Sequence, residues 1–277
     1  MSAPQRLDAA LADLGYAPSR TRAAVLIREG RVFVEGKPAT KPSAKVKPGA
    51  SIVIQEHAED RWVGRAAGKL HAALEALSAR GIRLPIHGAT CMDAGASTGG
   101  FTQVLLDHGA ERVYAVDVGH GQLHSSLAED ARVVNREGVN VRHLDPGFIP
   151  GGVDVMVGDL SFISLTLVLE PLAAQLREAG RMLMLVKPQF EVGRSGLNKA
   201  GVVVQPALRR HAVTKVLDFA EQAGLGLKPV TVLRSEVPGQ DGNVEFFVMW
   251  IKENAESEDS STSERNLTAL LDAVDYS

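Results

Sequence analysis

The run Asp93-Ala-Gly-Ala-Ser-Thr-Gly-Gly100 stands between a short apolar stretch at 90–94 and a run of apolar residues at helical spacing. A chain passes from strand to helix in so few residues only through a tight turn. Three glycines supply the positive φ and the bare backbone for one. The helix opening near Gly99 leaves N–H groups unpaired at its start, where a ligand can be received. Further on, Val113-Tyr-Ala-Val-Asp117 reads as a second apolar strand that ends in an acid. An acid about twenty residues beyond a glycine turn commonly holds a ribose hydroxyl of a nucleotide. The pair of features points to an adenosine-type cofactor on a doubly wound sheet. The spacing Asp-x-Gly-x-x-x-Gly departs from the Gly-x-Gly-x-x-Gly of dinucleotide sites.

From 89 to about 252 the pattern alternates between strand and helix. Strands are predicted near 90–94, 112–118, 132–136, 153–157, 181–186, 229–234 and 245–251. Helices are predicted over 68–77, 99–108, 121–129, 165–177 and 207–223. Such alternation predicts an α/β fold with a parallel sheet covered on both faces, and ligands then bind outside the carboxyl ends of the strands.

Residues 1–55 form a separate unit, with leucines at helical spacing in Arg6–Leu14 and a second helix over Arg20–Glu29 capped by Ser19. Arg31–Gly36 reads as strand and turn, and Lys45–Ile54 as a hairpin turning at Pro48-Gly49. Charge divides the chain further. Residues 1–54 hold nine Lys or Arg against four acids, a net of +5, whereas 252–277 hold two against seven, a net of −5. The overall charge of −3 thus conceals a basic front, a hint of nucleic-acid contact. Residues 56–67 read as a charged linker, 68–252 as the second domain and 253–277 as an acidic, flexible tail, with Leu267–Val274 able to form one short helix. A content of 45% hydrophobic residues suffices for a buried core. No apolar run approaches the roughly 20 residues that span a bilayer, and the start of the chain lacks the apolar core of a secretory signal. The single cysteine, Cys91, cannot form an internal disulfide, so a cytoplasmic setting is expected.

The front unit resembles the small RNA-binding domain first seen in ribosomal protein S-four. The residues that carry the likeness include Arg6-Leu-Asp8, Leu11, Gly15, Ser19-Arg20, Ala23-Ala24, Leu26-Ile27, Gly30, Lys41-Pro42 and Gly49. Phosphate contacts need clustered cations, and Arg20, Arg22, Arg28, Lys41 and Lys45 are the candidates. The resemblance adds Arg6 and Ser19.

Four ionisable residues stand at strand ends or beside the sheet. Asp159 follows one apolar strand, Lys187 ends the next, Glu245 opens a late one, and Lys69 starts the helix that precedes the sheet. Taken singly each has a plain structural reading: a solvated lysine, a turn cap, a surface ion pair. Their order, however, resembles the Lys-Asp-Lys-Glu tetrad of FtsJ-like RNA ribose 2′-O-methyltransferases. Asp93–Thr102, Asp117-Val-Gly119, Asp159–Ser164, Val186–Glu191 and Gly242–Glu245 are similar to the TlyA family, which joins both domains. The linker Trp62-Val-Gly-Arg-Ala-Ala-Gly-Lys69 departs from that family's usual Tyr/Trp-Val-Ser-Arg-Gly-Gly, and His120 stands where a Tyr or small polar residue is usual.

The resemblance implies a Rossmann-like methyltransferase sheet behind a small α+β RNA-binding domain, S-adenosylmethionine as cofactor, and ribose in ribosomal RNA as acceptor. It implies no metal and no membrane partner. The cofactor would lie along Asp93, Gly95, Ser97, Thr98, Gly99, Gly100 and Phe101, with Asp117 on its ribose, Asn135 and Asn140 near its adenine and Asp159 between cofactor and substrate. A ribose hydroxyl is a poor nucleophile and needs a base. Free lysine titrates near about 10.4, so such a base requires a neighbouring cation and desolvation. The family pattern makes Lys187 that base and Lys69 the neighbouring cation, with Asp159 and Glu245 orienting both amines. Two other readings remain: a ribosome-assembly factor with a vestigial core, and a membrane-active haemolysin, a label that relatives carry.

Overall fold

Leu7, Ala10 and Leu11 fall on one side of a helix and pack with Ala23, Leu26 and Ile27 of the next, closing a small core over Val32 and Val46. The computed structural model describes residues 4–17, 19–55, 62–253 and 263–277, in two units, 1–61 and 62–277. The first unit runs β1 (Gln5–Arg6), α1 (Leu7–Asp13), α2 (Arg20–Arg28), β2 (Val32–Val34), β3 (Lys37–Pro38), β4 (Lys45–Val46) and β5 (Ile52–Ile54). The Ser19 hydroxyl accepts from Arg22 N and caps α2. Gly15 and Gly30, at φ 76° and 71°, end the two helices in the left-handed conformation that glycine tolerates.

The expected hairpin over 45–54 is not formed. β4 pairs with β1, and β5 pairs with β2, so Pro48-Gly49 turns the chain between two different sheets. The cause is tertiary. Leu7 N donates to Ala44 O and Asp8 N to Pro42 O, tying 42–46 to the start of α1.

The second unit contains α3 (Ala66–Ala79), β6 (Thr90–Ala94), α4 (Gly100–Asp107), β7 (Arg112–Asp117), α5 (Ser125–Ala128), β8 (Val133–Glu137) and β9 (Val153–Gly158). It continues with α6 (Leu169–Ala173), β10 (Leu176–Val186), α7 (Pro188–Glu191), α8 (Pro206–Gln222), β11 (Leu227–Arg234), β12 (Phe246–Lys252) and α9 (Ser263–Asp272). Seven strands form one sheet in the order β11-β12-β10-β9-β6-β7-β8. Successive side chains go to opposite faces: Phe246, Val248 and Trp250 enter one buried cluster and Phe247 and Met249 the other. Both faces of the sheet are therefore covered, as a doubly wound fold requires.

The sheet is mixed rather than wholly parallel. β12 runs antiparallel to both β10 and β11, because no α-helix lies between β11 and β12 to carry the chain back. Two expected helices are shorter. Only Ser125–Ala128 of 121–129 is α-helical, since Gly121 stands at φ 63° and the His124 amide, which a helix from 121 would bond back to His120 O, goes to Thr98 O. The amides of Gly121, Gln122 and Leu123 are held by the Glu137 carboxylate. The helix expected over 165–177 becomes a 3-10 turn, Leu165–Leu167, and the short α6. By Leu176 the chain has joined β10, and Val153 N donates to Gln175 O.

Of the expected linker, 56–61 lies outside the described residues. Ala66 and Ala67 already belong to α3, which starts before the expected position 68. Of the expected flexible tail, 254–262 also lies outside. The rest is folded: α9 is followed by a segment whose Tyr276 packs into the main core with Leu271.

Candidate active site

β6 and β9 are neighbours, yet the chain leaves β6 toward β7 and β8 on one side and later leaves β9 toward β10 on the other. The carboxyl ends of these two strands form the topological switch point, where such sheets bind ligands. Both ends carry sequence-predicted residues. The glycine turn follows β6 and Asp159 follows β9. A Cβ at Gly95 would sit 3.0 Å from Asp159 O, and one at Gly100 would sit 2.8 Å from Ala67 N. Glycine is thus what lets the turn close against β9 on one side and against the start of α3 on the other. A cleft of about 660 Å³ opens there, within the usual range for small-molecule sites.

The four ionisable residues converge in this cleft, although they are spread from position 69 to 245. Lys69 Nζ donates to Glu245 Oε2 at 2.7 Å and lies 3.5 Å from Asp159 Oδ2. Asp159 Oδ1 lies 2.6 Å from Lys187 Nζ, an ion pair without aligned hydrogen-bond geometry. Lys187 Nζ donates to Ser161 Oγ at 2.7 Å. The result is one chain of contacts, Glu245–Lys69–Asp159–Lys187–Ser161. Lys69, Lys187 and Glu245 are buried. Two lysine amines face two carboxyl groups, the pairing of opposite kinds on which burial of ionisable groups depends.

Of the residues predicted for the cofactor, Gly95, Ser97, Thr98, Phe101 and Asp159 line the cleft. Gly99 faces Leu123 and Leu127 instead, and Gly100 faces α3. Asp117 is not among the lining residues; its carboxylate instead accepts from Ser97 N at 2.8 Å and Gly119 N at 2.7 Å, tying the glycine turn to the end of β7. Asn135 and Asn140 are not among the lining residues. Asn140 caps a 3-10 turn by accepting from Arg142 N. His120 lies over Gly138.

Asp93 is fully buried beneath the turn rather than in the cleft. Its Oδ2 accepts from Thr102 Oγ1 at 2.7 Å, and among the described residues Oδ1 has no hydrogen-bond partner. Burial pushes this carboxyl from 3.8 up to about 7, against the opposing hydrogen bonds from Thr102. Between those two values the folded state keeps a proton that the unfolded chain has released. Stability therefore falls as pH rises from about 4 to about 7, by up to ~4 kcal/mol through this group. Asp93→Asn is expected to flatten that part of the profile. Urea unfolding of both proteins at pH 5 and pH 8 checks it, and an identical pH dependence would contradict the assignment.

In the first unit Arg6, Arg20, Arg22, Arg28, Lys41 and Lys45 are all exposed. Arg6 and Lys45 are cross-strand partners, and Arg6 and Arg20 both reach Asp8, at 2.7 and 3.6 Å. The bond from Arg6 holds the Asp8 carboxyl down, to about 2. The Ser19 hydroxyl is occupied as the α2 cap.

Three features escaped the reading of the sequence. Phe162 is 91% exposed on a left-handed backbone, φ 63°, and its ring centroid lies 5.4 Å from that of Phe190. It lies within the Asp159–Ser164 motif, whose residues do not show its exposure. Glu137 orders the loop beside Asp117, for which an acid at the end of the third strand was the available signal. Asn243, 3% exposed, accepts from Val203 N and donates to Gly201 O; it lies in the Gly242–Glu245 motif, which gave it no role.

Comparison with known proteins agrees with this geometry. Residues 62–252 match the FtsJ-like methyltransferase family and residues 5–52 match the S4 domain. The chain is 46% identical over 252 residues to the 16S/23S rRNA (cytidine-2′-O)-methyltransferase TlyA of Mycobacterium tuberculosis, covering 91% of each. It is 35% identical to Hemolysin A of Brachyspira hyodysenteriae, over 89% of this chain and 99% of that one. A solved structure named as a hemolysin, from Streptococcus thermophilus, superposes with a TM-score of 0.70 at 33% identity, covering 97% of this chain and 96% of that one. Among the described residues no helix is long and apolar enough to cross a membrane.

Proposed function

The chain belongs to the FtsJ-like methyltransferase family, and from that premise we propose that it transfers a methyl group from S-adenosylmethionine to a ribose 2′-hydroxyl, that of a cytidine, in ribosomal RNA. The observation that carries this reading is the Glu245–Lys69–Asp159–Lys187 chain at the mouth of a glycine-turn cleft. The turn suits such a cofactor, because Gly95, Ser97 and Thr98 line the cleft with backbone and small polar side chains. Gly95, Ser97, Thr98 and Phe101 would hold it, with Asp117 at its ribose. When bound, S-adenosylmethionine supplies an electrophilic methyl carbon and a positive charge that disfavours a second cation beside it.

The remaining work falls to the protein. Lys187 Nζ, neutral, takes the hydroxyl proton as the ribose oxygen is alkylated, and becomes an ammonium ion. Asp159, 2.6 Å away, fixes the direction of that amine and stabilises the charge it acquires. Lys69, held by Glu245, presents its positive charge where the oxygen becomes negative. Alignment of hydroxyl and methyl carbon can supply roughly 7–11 kcal/mol, and base catalysis a further ~10²–10⁴-fold.

Phe162 would receive the base of an unstacked nucleotide, as aromatic side chains do in RNA recognition. A non-glycine residue at positive φ costs about 1–3 kcal/mol and persists where the surroundings enforce it. Stacking contributes ~1–3 kcal/mol per base. Phe162→Ala is therefore expected to raise KM for RNA by roughly 5- to 150-fold while cofactor affinity holds. Equal KM values for the two proteins would remove Phe162 from the substrate site. The exposed cations of the first unit would hold RNA phosphates, and a ribosomal substrate places the activity in the cytoplasm. The test is incubation with radiolabelled S-adenosylmethionine and unmodified small subunits, large subunits and free rRNA. Label in the RNA of at least one is expected, and none in any of them would overturn the function.

A further inference from the structure

One wall of the cleft is a loop whose only regular element, among the described residues, is a 3-10 turn at Arg194–Gly196. Residues 193–204 leave α7, pass the cleft with Leu197, Ala200 and Gly201 in its lining, and enter α8. The segment carries Arg194 and Lys199, both exposed, on a surface that would face a polyanion. Its own hydrogen bonds are local: the Asn198 carbonyl oxygen Oδ1 accepts from Ala200 N and Val202 N at 2.9 Å each. What anchors it to the rest of the unit is gathered at Val203, which is 1% exposed. Val203 N donates to Asn243 Oδ1 at 3.1 Å, and Asn243 Nδ2 donates to Gly201 O at 3.2 Å. Asn243 stands two residues before Glu245. Val203 O accepts from Arg209 Nε at 2.9 Å, and the same guanidinium donates through Nη1 to Tyr276 O at 3.0 Å.

Arg209 is the informative residue. It is buried, and its hydrogen bonds go to two carbonyl oxygens rather than to a carboxylate. A guanidinium withdrawn from water onto two carbonyls is costly unless both bonds are made. It therefore couples the two backbones it bridges. One is the cleft wall. The other is the C-terminal segment, which lies beyond the matched methyltransferase domain, 62–252. That segment is fastened at three further points: Arg210 to Asp272 at 2.6 Å, Arg234 to Asp275 at 2.6 Å, and the Tyr276 ring 5.0 Å from Phe246, the residue after Glu245.

We propose that residues 263–277 position the substrate wall of the active site, acting through Arg209 on Val203 and so on the 193–204 segment. Arg209 and Asn243 are positioning residues; neither touches the reacting atoms. The bonds run Tyr276 O–Arg209–Val203–Asn243, and they end beside Glu245. Loosening them displaces the wall that meets RNA and leaves the glycine turn, on the other side of the cleft, in place.

The test uses the full chain. Arg209→Lys keeps the charge but cannot hold both carbonyls in the planar fork of a guanidinium. Amide hydrogen exchange over 197–204 is expected to quicken about tenfold, and KM for RNA to rise about tenfold, with kcat and the Kd for S-adenosylmethionine within about twofold. A purely structural role would lower cofactor affinity and RNA affinity together. That outcome, or unchanged exchange over 197–204, would overturn the proposal. If Arg209→Lys does not fold, Asp275→Asn at an exposed position releases the same segment, and the same measurements decide. The kinetic readout rests on the RNA methyl-transfer reading; the exchange readout does not, so a protein inactive on RNA would sink that reading and still test this one.

Discussion

Lys187→Ala is expected to lower kcat for methyl transfer by ~10²–10⁴-fold and to leave the Kd for S-adenosylmethionine within about twofold. The amine stands at the end of β10, in ion contact with Asp159 and bonded to Ser161, and it is the last member of the buried chain on the side of Phe162. Its removal takes away the proton acceptor and leaves the glycine turn and Asp117 untouched. It also frees a carboxylate. Asp159 keeps Lys69 at 3.5 Å, so the site retains one cation for it and the fold should survive. Lys187→Arg is the sharper companion, because a guanidinium preserves the charge and the contact with Asp159 yet cannot give up a proton in this pH range. If the arginine variant transfers methyl groups at the wild-type rate, Lys187 contributes charge alone and the base assignment is wrong.

The second large effect is expected in the first unit. Replacing Arg20, Lys41 and Lys45 by alanine should weaken binding to ribosomal RNA by on the order of 10²-fold at physiological salt. The slope of log K against log salt should become shallower by about two to three. Arg6 is left in place for a physical reason. It donates twice to the buried Asp8, so its loss would strand a carboxylate and confuse folding with binding. The cofactor Kd should not change. An unaltered salt slope would show that these cations are not the phosphate contacts.

Much of this architecture is legible in the residues. Leucines at 7 and 11, the unbroken apolar run Phe246–Trp250, and glycines at 15, 30 and 95 are local signals with local consequences. The order Lys69, Asp159, Lys187, Glu245 is equally plain. What it cannot convey is that Lys69 meets Glu245 across 176 positions, which depends on β12 being inserted between β10 and β11. The misread elements share a cause. The pairing of 45–54 was decided by amides of Leu7 and Asp8, the helix at 121–129 by Thr98 O, which takes the His124 amide, and the end of 165–177 by Gln175. In each case a partner distant in sequence claimed hydrogen bonds that the local pattern would have kept. Phe162, Asn243 and Arg209 belong to the same class. An exposed phenylalanine between Ser161 and Ile163 and a buried arginine inside a polar helix can be recognised only once burial is known. The short helix expected over Leu267–Val274 is formed as α9, but the anchoring of that segment through Leu271 and Tyr276 was hidden by its acidic surroundings.

The central claim is that this site alkylates a ribose oxygen of ribosomal RNA, and one measurement addresses it directly. Unmodified small and large ribosomal subunits are incubated with the protein and methyl-labelled S-adenosylmethionine. Their RNA is then digested to nucleosides and resolved by mass spectrometry. The account predicts that the label resides in 2′-O-methylcytidine, with the added methyl on the sugar fragment, and that Lys187→Ala removes it. A methyl group on a base, or RNA from both subunits without any added methyl, would contradict it.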